Sequence, residues 1–184
     1  NLGGVNGNCS SGSAGGIAGA IDQGENVKVT ITNSVNSGRV YLRSTRSLGG
    51  ILGEFQDGTV IIRNCANTGE LLFTKLTGST PKYAGGMVGY IMYSDAALVL
   101  ENCYVAGFPT MADSDYNSKQ YEIFGRLYGG SQYNIQKTFT NCYSNADASY
   151  VDKNSQSCTY VSSMKTEEFV STLNAHLAGQ EGLL

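Results

Sequence analysis

The sequence predicts an all-β chain: a β-solenoid of the right-handed parallel β-helix type, with about four coils, loop excursions and a C-terminal capping α-helix. Three observations predict it. A glycine-rich motif recurs about every 35 residues, within the range of solenoid periods. A strand-forming motif follows each copy. The C-terminal segment then changes to helical periodicity. The division that results is a repeat domain over residues 1–160 and a helical cap or tail over 161–184.

The glycine motif is AGGIAGAI from Ala14 to Ile21, LGGILGEF from Leu48 to Phe55 and AGGMVGYI from Ala84 to Ile91. A decayed copy, YEIFGRL from Tyr121 to Leu127, aligns Gly125 with Gly19, Gly53 and Gly89, and sets Glu122 and Phe124 where Gly16 and Ala18 stand. The glycines mark a short strand whose backbone bends or approaches a neighbour closely. The second motif runs Val29 to Gly38, Val60 to Gly69, Leu98 to Gly107 and Lys137 to Ala146. Apolar residues alternate with polar ones in it, the period of a half-buried strand. Each strand ends at an asparagine, a residue that tolerates left-handed backbone and suits a corner.

A unit of two or three short strands cannot bury its apolar face alone, so copies must stack, about 4.8 Å apart. Stacking predicts an internal column of Ile31, Ile62, Leu100 and Phe139. It predicts an amide ladder of Asn33, Asn64, Asn102 and Asn141, with Ser34, Cys65, Cys103 and Cys142 in the column beside it. A coil of this length is long for a compact perimeter, so some residues must leave as loops. The candidates are Asp22 to Asn26, Thr74 to Lys82 and Phe108 to Gln120. An antiparallel hairpin in each repeat is the alternative arrangement.

Composition narrows the function classes. The 184 residues hold 24 Gly and 2 Pro, and 15 % are charged. That is neither collagen nor a charged disordered tail. A net charge of −3 gives no basic face for nucleic acid. The apolar runs are too short to be inserted in a membrane. The start NLGGVNGNC lacks Met and any signal-like segment, so it reads as a piece of a longer chain, and LGGVNGNCSSG as the tail of a preceding copy.

The segments Gly16-Ile17-Ala18-Gly19, Gly50-Ile51-Leu52-Gly53 and Gly86-Met87-Val88-Gly89 resemble the GLUG motif of bacterial surface and secreted proteins. The stretch from Asn64 to Gly69 is similar to the segment that accompanies that motif. The resemblance covers roughly residues 1–146. It implies a β-solenoid-like region of a long exported, adhesin-like protein, and no catalytic residues within the repeat.

After Tyr160 the residues Phe169, Val170, Leu173 and Leu177 mark one face of a short helix. Thr166 or Ser163 can cap its start, Glu167 and Glu168 suit its positive end, and Gly179 can end it. A helix here covers the open edge of the stack.

Candidate chemistry is sparse. No two cysteines have C-x-x-C spacing and there is one histidine, so no metal and no cofactor is expected. Cys65, Cys103 and Cys142 share a position with Ser34, which asks for small size. Neighbouring coils would set such cysteines near disulfide range, so one pair, or Cys158 with Cys142, can bridge. His176 falls on the helix, off its apolar stripe, and is no catalytic base. Asp113, Asp115 and Asn117 open like a calcium loop, but Ser118 and Phe124 stand where its glycine and closing glutamate belong. Tyr116, Tyr121, Asp113 and Asp115 are the candidate ligand-binding residues.

The expected function is a non-catalytic extracellular or cell-surface module for adhesion or display. Its expected partner is a host or matrix protein or a glycan. The alternative is a carbohydrate-binding or polysaccharide-cleaving β-helix.

Overall fold

The computed structural model describes residues 1–9, 11–22, 27–43, 46–74, 83–92, 96–106, 109–111, 121–122, 125–127, 136–145 and 158–178. Each coil contains five short strands. Coil one has β1 (Val5–Asn8), β2 (Ala14–Gly15), β3 (Ala18–Ile21), β4 (Lys28–Thr32) and β5 (Val35–Asn36). Coil two repeats them as β6 (Val40–Arg43), β7 (Ser47–Gly49), β8 (Leu52–Phe55), β9 (Thr59–Arg63) and β10 (Ala66–Asn67). Coil three has β11 (Leu71–Thr74), β12 (Tyr83–Gly85), β13 (Val88–Ile91), β14 (Ala97–Glu101) and β15 (Tyr104–Val105). Coil four has β16 (Pro109–Met111), β17 (Tyr121–Glu122), β18 (Gly125–Leu127), β19 (Gln136–Thr140) and β20 (Cys142–Ser144). β21 (Cys158–Tyr160) and the helix α1 (Glu167–Leu177) follow.

Equivalent strands stack into five sheets, four of four strands and one in which β21 extends the column β5-β10-β15-β20. Every pairing described is parallel, as in β4 to β9 and β9 to β14. This is the stacked solenoid, and it replaces the hairpin alternative. The coil has five strands where the sequence suggested two or three. The strands of the first and fifth columns were missed; they hold two to four residues, too short to show a clear period of two.

The predicted internal column is present. Ile31 pairs with Ile62, Ile62 with Leu100 and Leu100 with Phe139. Ile62 and Leu100 are fully buried, and each such side chain contributes about 1.5–3 kcal/mol of hydrophobic stabilisation. The fourth glycine copy is aligned differently from the sequence expectation. Glu122 pairs with Gly85, and so stands in the Gly15 column, while Gly125 pairs with Val88. The register then slips so that Arg126 meets Tyr90. Coil four is one residue short within β18, opposite the step from Val88 to Tyr90, which a gap-free reading of the sequence cannot show.

The core is in two parts. The larger surrounds Phe55, Ile62, Ile91 and Leu100, and the smaller surrounds Val40, Leu48 and Leu71. Asn36 and Asn67, fully buried, reach the glycine corner between them. A Cβ on Gly16 would lie 2.4 Å from Asn36 Cγ, and one on Gly50 would lie 2.3 Å from Asn67 Cγ. The second glycine of the motif is therefore required by a buried amide that fills the space of a side chain.

Of the expected loop segments, Thr74 closes β11 and Pro109–Met111 forms β16, a correction to the loop reading of Phe108 to Gln120. Residues 23–26, 75–82 and 112–120 lie outside the described residues.

In α1, Thr166 is the N-cap and its Oγ1 accepts from Phe169 N at 3.2 Å. Phe169 is buried edge-on against Tyr104 and Tyr143, with ring centroids 5.7 and 5.2 Å away. The helix is thus attached to coils three and four through the fifth sheet. Val170, expected on the buried stripe, is half exposed.

Candidate functional site

The corner between the fourth and fifth sheets concentrates most of the residues singled out by sequence. Asn33, Asn64, Asn102 and Asn141 have φ of 51, 51, 52 and 49°. All four are left-handed, a conformation that costs most L-residues about 1–2 kcal/mol and asparagine less. Asn64 Nδ2 donates to Asn33 Oδ1 at 3.1 Å, and Asn102 Nδ2 donates to Asn64 Oδ1 at 3.0 Å. The ladder stops there. Asn102 Oδ1 is buried and accepts no hydrogen bond among the described residues, although Asn141 shares the corner geometry.

The adjoining column explains why serine and cysteine interchange. Ser34 Oγ donates to Thr32 O at 2.8 Å. Cys65 Sγ donates to Arg63 O at 3.1 Å, Cys103 Sγ to Glu101 O at 3.3 Å and Cys142 Sγ to Thr140 O at 3.5 Å. Each side chain spans the left-handed asparagine and satisfies the carbonyl two residues back. The position asks for a small donor, a stronger condition than small size. Cys65, Cys103 and Cys142 are free thiols. Burial, and then the neighbouring Cys103, push the Cys65 thiol up to about 12. The hydrogen bond with Cys142, and then burial, raise Cys103 well above its ordinary value. Cys65 and Cys103 are therefore protonated, poorly nucleophilic thiols.

Two clusters escaped the sequence reading. The first is an inner ladder, in which Asn1 Nδ2 donates to Asn36 Oδ1 at 3.2 Å and Asn36 Nδ2 to Asn67 Oδ1 at 2.9 Å. The recurring Asn-x-Gly carried that signal. The second surrounds Glu54, a carboxylate that is 1 % exposed. It accepts from Arg46, Ser13 and Ser47, and from Gln56 Nε2 at 3.1 Å. Its column neighbour in coil three is Tyr90, whose ring stacks on Tyr83 at 4.1 Å. A buried charge needs a partner and hydrogen bonds, and Glu54 has both. The cluster binds coil one to coil two. Its signal, Ser13 and Ser47 one repeat apart beside Glu54, is visible only after stacking.

Of the candidate ligand residues, Tyr121 lies in β17. Tyr116, Asp113 and Asp115 lie outside the described residues, as do Asn117 and Ser118 of the calcium-like stretch. His176 belongs to α1. No group of three metal-ligating side chains occurs among the described residues. No helix among them is long and apolar enough to cross a membrane.

Comparison with known proteins finds no matching family model and no matching curated protein. The fold is similar to a crystal structure from Bacteroides ovatus provisionally named an immunoglobulin A1 protease, with a TM-score of 0.61 and 20 % identity. The match covers 97 % of this chain and 51 % of that one, so the chain spans about half the length of this neighbour. The likeness concerns the architecture, and the chain is a β-helix protein of stacked parallel sheets.

Proposed function

We propose that this chain is a non-catalytic repeat module that acts outside the cell as a display stalk or adhesion surface of a bacterial surface protein. The observation that carries the reading is the stack itself, whose repeated columns are joined on the outside as well as within. Arg63 Nε meets Glu101 Oε2 at 2.7 Å, and Tyr41 Oη lies 3.2 Å from Thr74 Oγ1. Thr68 Oγ1 donates to Ser37 Oγ at 3.2 Å. Each links one coil to the next. Such a stack is stiff along its axis and grows by about 4.8 Å per coil. The GLUG resemblance, with its exported and adhesin-like context, supports the compartment and the role.

The contact residues are Tyr116, Tyr121, Asp113 and Asp115, and the partner is a host or matrix protein or a glycan. Aromatic rings and carboxylates suit sugar hydroxyls and protein surfaces alike. Binding to a glycan array and to immobilised matrix proteins, with a parallel assay for released product, tests the reading. The expected result is retention without turnover, lowered at least tenfold by Tyr116→Ala with Tyr121→Ala. Product release by the purified chain would reverse it.

A further inference from the structure

The first sheet turns Val5, Val40 and Leu71 toward the smaller core. Alternation along its strands points Asn6, Arg39, Tyr41, Arg43 and Thr74 to the other face. Register stacks Asn6 on Tyr41 and Arg43 on Thr74. Arg39, Tyr41 and Arg43 form one row, an aromatic ring between two guanidinium groups whose Cα atoms are about 13 Å apart. This face runs along the side of the stack. Coils added at either end lengthen it and do not cover it.

The face has a definite chemistry. A hollow of about 420 Å³ is lined by Gly4, Val5, Asn6, Arg39 and Tyr41, within the size range of small-ligand sites. Gly4 leaves it open, for a Cβ there would have only Arg39 O near it, at 3.5 Å. Tyr41 Oη lies 3.2 Å from Thr74 Oγ1 in the next coil, which anchors the ring. Asn6 is exposed and offers an amide donor and an acceptor. Arg39 Nε already holds a carboxylate, Glu70 Oε2 at 3.2 Å, and keeps its other donors. Arg43 makes no ion pair among the described residues. Its planar fork matches a carboxylate. The two arginines outnumber Glu70 on a chain whose net charge is −3.

These features select among ligands. An extended peptide cannot add as a strand, because β6 is already paired on both edges. A nucleic acid or a densely sulfated chain meets Glu70 and the negative charge of the whole molecule. We propose that this face binds an acidic saccharide in which carboxylate-bearing and neutral rings alternate. A neutral ring lies in the hollow against Tyr41, with its hydroxyls bonded to Asn6. The acidic rings on either side pair with Arg43 and Arg39. The site is separate from Tyr116, Tyr121, Asp113 and Asp115 and does not depend on them.

Calorimetric titration of the chain with a hyaluronan hexasaccharide tests this, beside a chitin hexasaccharide, a heparin hexasaccharide and a short single-stranded DNA. Hyaluronan should bind at least about tenfold more tightly than each control. Arg43→Ala should weaken it by at least about tenfold, the weight of one charge-assisted hydrogen bond. Gly4→Phe should fill the hollow and weaken binding as much, with the melting temperature within about 2 °C of the parent. Tyr116→Ala with Tyr121→Ala should leave this binding unchanged, which separates it from the contact residues proposed above. No binding of hyaluronan at millimolar concentration, a control that binds within tenfold of it, or binding that survives Arg43→Ala or Gly4→Phe would overturn the proposal. Loss of binding in the Tyr116 and Tyr121 double variant would place the saccharide elsewhere and would overturn it as well.

Discussion

Asn64 combines a left-handed backbone with a place in the amide ladder, and substitution can separate the two. Asn64→Gly keeps the backbone and loses two hydrogen bonds, which should cost about 1–3 kcal/mol. Asn64→Ala should cost about 1 kcal/mol more, because alanine resists φ near 51°. Urea unfolding measures both, and equal losses would mean that the corner is not strained. Gly50→Ala should cost at least about 3 kcal/mol, since its Cβ would meet Gly86 O at 2.1 Å as well as Asn67. Cys65 gives a pH dependence. Its thiol rises from near 9 in the unfolded chain to about 12 in the fold. The stability it contributes is full below pH 9 and is lost as pH rises from there toward 12. Cys65→Ser should keep the carbonyl bond and flatten that fall in a series of unfolding curves between pH 8 and 11. The corner asparagines and their small neighbours were legible in the sequence because they recur in one frame. The donor role of the cysteines was not, since it needs the carbonyl two residues back to be turned toward them.

The elements differ in how clearly the sequence announced them. The five-residue strands β4 and β14 alternate in burial, β9 buries three residues in a row, and all three were legible in the repeated motif. β16 begins at Pro109, a residue that argues for a loop; a proline is accepted there because the strand closes its sheet and leaves one edge unpaired. β17 was misaligned because coil four is one residue short further on, within β18. The helix was anticipated with its Thr166 cap, while its hold on the coils came down to Phe169. Phe169→Ala should therefore abolish amide protection across Glu167–Leu177 and leave the protection of β9 and β14 unchanged. Hydrogen exchange read by mass spectrometry distinguishes this from a global loss, which would mean that the helix stabilises the whole stack.

At the scale of the molecule, repetition turns weak local preferences into a fold. A two-residue strand such as β10 has little stability alone, but between β5 and β15 it adds a rung to a column that continues above and below. The architecture was legible because the period could be seen without any local assignment. The Glu54 cluster was not, because its members come from two coils and meet only when those coils are stacked. Everything proposed for the module depends on equivalent residues lying over one another along an axis. A crystal structure tests this most directly. The Cα atoms of Asn33, Asn64 and Asn102 should lie in a line about 4.8 Å apart, with Asn36 Nδ2 within about 3 Å of Asn67 Oδ1. Asparagines distributed over unrelated sheets, or antiparallel partners for β9, would contradict the stacked solenoid and the display role built on it.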